Sequence, residues 1–184
     1  MPCGRRRLRE LIPLSRLVVL TGGGDPDPAL YGMGEEGCGR IERHRSRWDL
    51  EVYRAAREAG AAILGICMGM QIAAVAEGVP LVRDIPLETG SDLDHAGSPE
   101  RPLSHPVTLA PGTLLGGILG DRAEVSSFHH QAVAAVPEGF REAARAPDGI
   151  IEAAESADGR VVCVQWHPER DWTGDVLMKA LLWS

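Results

Sequence analysis

The stretch Gly65-Ile66-Cys67-Met68-Gly69 sets a cysteine between two glycines, straight after the small and aliphatic run at residues 61–66. A cysteine on a sharp strand-to-helix turn needs small neighbours, because the backbone folds back on itself. That is the arrangement of a nucleophile elbow, with cysteine in place of serine. On such a turn the thiol meets the partial positive charge of a helix N-terminus, which favours thiolate. The backbone N–H of Met68 is then left pointing where an oxyanion forms. Taken alone, the stretch fits a buried structural cysteine near a helix start equally well. A second reactive stretch is Val164-Gln165-Trp166-His167-Pro168-Glu169. Residues two apart in an extended segment face the same side, so His167 and Glu169 are expected together at a strand end, with Pro168 restricting the histidine to extended conformations. A carboxylate beside a histidine fixes its tautomer and supports the imidazolium. Alone, this stretch also fits a surface histidine with a chance acidic neighbour. Together the two stretches supply a nucleophile, a base and an orienting acid at strand ends, where the sites of α/β sheets gather.

Two further stretches bear polar or bare backbone groups. Thr21-Gly22-Gly23-Gly24 follows an aliphatic run, and glycine N–H groups there can add oxyanion donors. No Gly-Lys-Ser/Thr follows and the spacing does not fit G-x-G-x-x-G, so a nucleotide-phosphate loop is disfavoured. Ser126-Ser127-Phe128-His129-His130-Gln131 pairs two histidines. His95 and His105 stand apart on what read as loops, and no nearby carboxylate completes a ligand set, so no metal is expected; a polar turn lining a pocket is the better reading.

The elements that must position these residues follow from periodicity. Residues 17–21 and 61–66 read as buried strands, 47–59 and 69–77 as helices stopped by Gly60 and Gly78. Strand, helix, strand, elbow and helix in that order argue for a parallel α/β core. Short strand-like runs at 105–109, 123–126, 140–144, 150–153 and 161–164 are separated by Pro-Gly and Asp-Gly turns, which predicts antiparallel pairing in the second half. Residues 175–183 read as a closing amphipathic helix, and 88–102 as the most mobile loop.

Composition narrows the class. The 184 residues suffice for a single domain with a real core, spanning residues 1–184. The net charge of −7 disfavours nucleic acid and anionic membrane as partners. The basic cluster Arg5, Arg6, Arg7 and Arg9 reads as a solvated terminal segment. No apolar run approaches the roughly 20 residues of a membrane span, and the run at 11–20 is broken by Arg16 and reads as part of the fold, not a signal peptide. The four cysteines lack zinc or C-x-x-C spacing, and a reducing, cytoplasmic setting is expected.

The stretches TGGGDPDPALYG, LGICMGMQ, SSFHHQAV, DGIIEA and VQWHPE, in order from Thr21 to Glu169, resemble the triad-type class I glutamine amidotransferases, and most nearly the branch of gamma-glutamyl-gamma-aminobutyrate hydrolases and gamma-glutamyl peptidases. The resemblance implies a flavodoxin-like α/β fold: an open, mostly parallel sheet flanked by helices, with an antiparallel extension. It implies Cys67 as nucleophile, His167 as base and Glu169 as its partner, with oxyanion donors at Met68, Gly23 and Gly24. Gln71 and the backbone of His129, His130 and Gln131 would hold the glutamyl part of a small gamma-glutamyl substrate, with no cofactor. Two departures are visible. The hydrolase branch usually carries arginine where this chain has Met68. The family also begins with a strand, helix and strand ahead of the Thr-Gly-Gly-Gly strand, a unit of about 30 residues, where only 16 residues precede Leu17. Either that unit is lost, which would bare a sheet edge for a partner subunit, or the start is placed too late. The expected activity is hydrolysis of a gamma-glutamyl amide. The rivals are a glutaminase subunit supplying ammonia to a synthase partner, and a truncated homologue kept as a binding protein; a homodimer is the other assembly considered.

Overall fold

The computed structural model describes residues 4–97 and 103–183. Every run expected as a strand forms one. They are β1 (Leu17–Leu20), β2 (Ala62–Ile66), β4 (Leu103–Leu109), β5 (Arg122–Ser127), β7 (Phe140–Arg145), β8 (Ile151–Ser156) and β9 (Val161–Val164). They join in one seven-stranded sheet of order β1-β2-β9-β8-β7-β4-β5. β1, β2 and β9 pair in parallel. The remaining pairings are antiparallel, as the turn-rich second half predicts. Two short strands the sequence reading did not anticipate, β3 (Leu81–Val82) and β6 (Ala132–Val133), form a separate antiparallel pair.

Both faces of the sheet are covered, and side-chain alternation explains why. Ile63, Val161 and Cys163 face one apolar core, while Leu64, Val162 and Val164, their neighbours in sequence, face the other. The first core is closed by α1 (Arg5–Leu11), α2 (Arg43–Glu58) and α3 (Met68–Ala76), the second by α5 (Leu114–Leu119) and α6 (Thr173–Trp183). α2 starts four residues earlier than its apolar spacing suggested and turns Leu50, Tyr53 and Ala56 inward. α3 is buried along nearly its whole length, from Met68 to Val75, so it sits under the site as a fixed support. α5 is anchored to the sheet: both oxygens of the buried Glu155 on β8 accept the first N–H groups of the helix, from Leu114 at 2.8 Å and Leu115 at 2.7 Å.

Two expectations need correction. The arginine-rich start is not only a solvated segment. Arg6, Arg7 and Arg9 are exposed, but the chain coils into α1 and buries Leu8 and then Ile12 in the core beside α2. Burying one such side chain is worth about 1.5–3 kcal/mol, enough to dock a short helix. The segment 88–102 is not one open loop either. Its first residues finish α4 (Ile85–Thr89), and Ser91 and His95 both bond to Asp148; residues 98–102 lie outside the described residues. β1 forms one edge of the sheet, with Val19 exposed on it. No helix among the described residues is long and apolar enough to cross a membrane.

Candidate active site

Cys67 stands between the end of β2 and the start of α3, with φ 49° and ψ −105°. Among the described residues it is the sole non-glycine with positive φ, a conformation that costs of order 1–3 kcal/mol and persists only where the surroundings enforce it. The flanking glycines are part of that enforcement. A Cβ on Gly69 would lie 2.2 Å from the carbonyl oxygen of Leu20 on β1, and one on Gly65 would lie 2.9 Å from the Gly69 backbone and from Cys163 Sγ. The glycines therefore let the helix press against the strands, and Cys67 is presented at the turn between them. The cysteine is also pinned by its own N–H, which donates to Val164 O at 2.8 Å. Met68 opens the helix, where an N–H has no intrahelical acceptor.

His167 follows β9 and is buried. Its Nδ1 is 2.6 Å from Glu169 Oε1. The pair arises differently from the extended geometry expected: Pro168–Arg170 form a single 3-10 turn, which carries Glu169 back towards the ring. The position of the histidine depends on curling of the sheet. His167 N–H donates to Ser126 O at 2.8 Å, although β9 and β5 stand far apart in strand order. The Phe128 ring lies 6.0 Å from the imidazole, centre to centre. Among the described residues the imidazole Nε2 is buried without a hydrogen-bond partner. Burial opposes protonation, but the neighbouring Cys67 sulfur and Glu169 carboxylate outweigh it, and His167 is pushed up to about 10. Burial likewise raises Glu169, and the imidazole reverses this and holds the carboxyl below its ordinary value. Gly22 packs against both reactive side chains: a Cβ there would lie 2.7 Å from His167 Cε1 and 3.7 Å from Cys67 Cβ.

The glycine loop sits beside them, with Gly23 against the Met68 side chain. A residue the sequence reading missed shapes it. Arg45 on α2 donates to Gly22 O at 2.9 Å, to Thr21 O at 2.8 Å and to Thr21 Oγ1 at 2.8 Å, and is itself held by Asp49 at 3.1 Å. With its carbonyls turned to the guanidinium, the loop can offer glycine N–H groups to another acceptor. Nothing in the spacing of Arg45 from the loop announces this contact.

A cavity of about 310 Å³ opens over the cysteine, lined by Gly23, Gly24, Cys67, Gln71 and residues 128–131, with Asp25 and Arg40 at its side. The structure thus brings together the residues singled out from sequence, with Met68, His167 and Glu169 outside the lining. Gln71 is buried and ties the floor together, its amide nitrogen 3.3 Å from both Gln131 O and Gln165 Oε1. Gln131 donates to Arg83 O at 3.0 Å. His130 Nε2 lies 3.0 Å from Asp25 Oδ1, and this bond, against the opposing effect of burial, raises its pKa. Asp25 belongs to the quoted glycine-rich stretch but carried no assignment from sequence. A larger groove of about 650 Å³, lined by Leu8, Arg9, Arg54 and Glu58, contains none of these residues.

The two other histidines depart most from expectation. His95 and His105 are not isolated: both are buried, His105 on β4, and their rings lie 4.7 Å apart, with the His95 and His129 rings 4.9 Å apart. Glu152 of β8, fully buried, completes the group. The expectation that no carboxylate meets these histidines fails because strand pairing, not sequence spacing, assembles the cluster.

Comparison with known proteins gives the family. The Peptidase C26 family profile matches residues 6–169. The glutamine amidotransferase-like protein YvdE of Lactococcus lactis is 36% identical over 169 residues, covering 90% of this chain and 70% of that protein. Rv2859c of Mycobacterium tuberculosis, provisionally named a glutamine amidotransferase, is 39% identical over 167 residues, covering 90% of this chain but 54% of that protein. The solved glutaminase domain of the Trypanosoma brucei CTPS, with bound acivicin, superposes with a TM-score of 0.65 at 14% identity over 99% of this chain and 74% of that one, a likeness of fold. The chain is a member of the Peptidase C26 family and is built on the class I glutamine amidotransferase fold.

Proposed function

We propose that the protein hydrolyses gamma-glutamyl amides through a cysteine thioester. The observation that carries the reading is the strained turn holding Cys67 beside a histidine whose far nitrogen is bonded to Glu169. Cys67 Sγ attacks the side-chain amide carbon, forming a C–S bond. The N–H of Met68 and those of the Gly23–Gly24 loop, kept open by Arg45, stabilise the tetrahedral oxyanion. As the C–N bond breaks, His167 passes its proton to the departing amine. Water then adds to the thioester with His167 as base, releasing glutamate and returning the thiol. Glu169 orients the imidazole. Gln71 and the backbone of residues 129–131 form the floor on which the glutamyl group rests, and a cavity of about 310 Å³ accommodates a small substrate.

The test is glutamate release from a panel of gamma-glutamyl amides, glutamine included, by wild type and Cys67→Ala. Release from gamma-glutamyl amines that the variant loses supports the hydrolase. Undiminished release by Cys67→Ala refutes it. A second reading is favoured by the fold shared with a CTPS glutaminase domain and by the edge position of β1: a glutaminase that feeds ammonia to a synthase partner. It predicts slow, Cys67-dependent release from glutamine alone.

A further inference from the structure

The cluster of His95, His105, His129 and Glu152 lies outside the chemistry above, and its bonding is unusual. His95 Nδ1, His129 Nε2 and His105 Nε2 lie 3.2, 3.4 and 3.5 Å from Glu152 Oε1. None of these contacts has hydrogen-bond geometry. All three nitrogens and both carboxylate oxygens are buried without a hydrogen-bond partner among the described residues. Buried polar atoms are rarely left this way, and five converge here.

The outer side of each ring shows which nitrogens carry protons. His95 Nε2 lies 2.9 Å from Asp148 Oδ2, His129 Nδ1 3.0 Å from Gln131 O and His105 Nδ1 3.3 Å from Pro106 O. Every outer nitrogen thus faces an acceptor, a role that takes an N–H. In neutral rings the inner nitrogens then aim lone pairs at a carboxylate oxygen, an arrangement that repels. Protonating one ring relieves one contact and leaves two lone pairs aimed at the same oxygen, while protonating all three would bury three cations against one inner carboxylate, at a large desolvation cost. A divalent cation removes the conflict. With three neutral imidazoles, Glu152 and the outer Asp148, its two positive charges leave the group neutral. The dimensions agree as well. A tetrahedral ion with bonds of about 2.0–2.1 Å sets its ligand atoms about 3.3–3.4 Å apart, and the four donor atoms here all lie within 4.8 Å of one another. Imidazoles held by carboxylate or carbonyl acceptors on their far side are the usual surroundings of metal-bound histidine.

We infer that His95, His105, His129 and Glu152 form a closed, four-ligand site for a divalent first-row transition ion, with Zn²⁺ the best fit. Nitrogen-rich donors favour such an ion over Mg²⁺ or Ca²⁺, and four protein ligands leave no open position for substrate, so the ion is structural. It would fasten the segment carrying His95 to β4 and β8, and both to the turn at residues 127–131 that lines the cavity. The same turn is already tied to that segment by His129 N–H, which donates to His95 O at 2.9 Å, and by Ser127 Oγ, which donates to it at 2.8 Å. The inference is independent of the reaction proposed above.

The test is metal content of the full chain, purified without polyhistidine tag or chelator, with Cys67→Ser as background so that the reactive thiol cannot bind the ion. About one equivalent of Zn²⁺ is expected, together with a lower melting temperature after chelator treatment that Zn²⁺ restores. Co²⁺ added to stripped protein should give the intense visible absorption of tetrahedral coordination without a sulfur charge-transfer band. Glu152→Gln should abolish binding. Asp148→Asn, which keeps the size of the side chain and an oxygen for its bonds from Ser91 Oγ and the Ile150 N–H, should weaken Zn²⁺ affinity by about 10- to 100-fold. One equivalent of another first-row ion would keep the site and overturn Zn²⁺. No retained metal, no Co²⁺ absorption and a melting temperature indifferent to chelator would overturn the inference, in favour of a proton-linked cluster. So would metal held undiminished by both Glu152→Gln and Asp148→Asn.

Discussion

Gly22→Ala tests the active-site geometry most directly. The backbone at Gly22 is not in the left-handed region, so the added methyl acts through space alone. Its Cβ would lie 2.7 Å from His167 Cε1, where ordinary contact begins at 3.4 Å, so the ring must retreat by about 0.7 Å. Retreat is resisted from the other side, because Nδ1, bonded to the same carbon, is held by Glu169 at 2.6 Å. A misplacement near 1 Å in a reacting group costs about 100-fold in rate, or about 2.7 kcal/mol of transition-state stabilisation. We expect kcat/KM for glutamate release to fall by about 30- to 100-fold, mostly in kcat, because Gln71 and residues 129–131, the proposed substrate floor, are untouched. Overpacking costs about 1–3 kcal/mol of stability, at about 2–4 °C of melting temperature per kcal/mol for a chain of this size. The rate of Cys67 alkylation by iodoacetamide, read at that residue by mass spectrometry, should fall with the loss of the imidazole partner. Gly23→Ala is the comparison. Its Cβ would meet Met68 Sδ at 2.6 Å and Arg45 Nη1 at 2.8 Å, so it disturbs the loop and its clamp but does not meet the imidazole, and alkylation should change by less than about threefold on the same reasoning about displacement. A Gly22→Ala protein that folds and alkylates as fast as wild type would refute the claimed contact between loop and imidazole.

Three further outcomes follow from individual contacts. Glu155→Ala strips α5 of two charge-assisted hydrogen bonds and should cost about 3–5 kcal/mol, measured by urea denaturation. Arg45→Met releases the Thr21 and Gly22 carbonyls; kcat should fall by about 10- to 100-fold, since one oxyanion donor is typically worth 100- to 1000-fold and the loop is loosened, not removed. An unchanged kcat would dismiss the clamp. The folded-state pKa of His167 is raised to about 10, above its ordinary value of about 6.5. Its protonation therefore stabilises the fold fully below pH of about 6.5, and that stability is lost as pH climbs towards 10. The stability gap between wild type and His167→Gln should accordingly shrink from pH 6 to pH 10, and a gap that widens would contradict the raised value.

The geometry of the candidate centre was legible because its residues are local. Gly65, Cys67 and Gly69 report one turn, and His167 and Glu169 report another, so short-range rules sufficed even though the second pair proved to sit on a 3-10 turn. The parallel half of the sheet was legible for a similar reason: continuous aliphatic runs mark the strands, and Gly60 and Gly78 mark the ends of the helices between them. The clamp and the histidine cluster were not, and the reason is the sheet. Arg45 reaches the glycine loop only because α2 packs beside β1, and no spacing rule encodes that approach. His95, His105, His129 and Glu152 come from a loop, β4, the turn after β5, and β8. β4 pairs with β5 along most of its length and with β7 only at Thr108 and Leu109, while β7 breaks register twice against β8. Ligand-spacing rules look for donors on one helix or one knuckle, so they pass over a set gathered across an irregular sheet. The buried, unpartnered atoms of that set are the more general signal: four side chains that are costly to bury and poorly satisfied by one another imply a fifth participant. If that participant is an ion, the turn forming the wall of the candidate cavity is held from behind by metal, and stripping the ion should loosen residues 127–131 before it disturbs Cys67 at the start of its buried helix. Hydrogen exchange across those two segments, with and without chelator, separates this order of events from general unfolding.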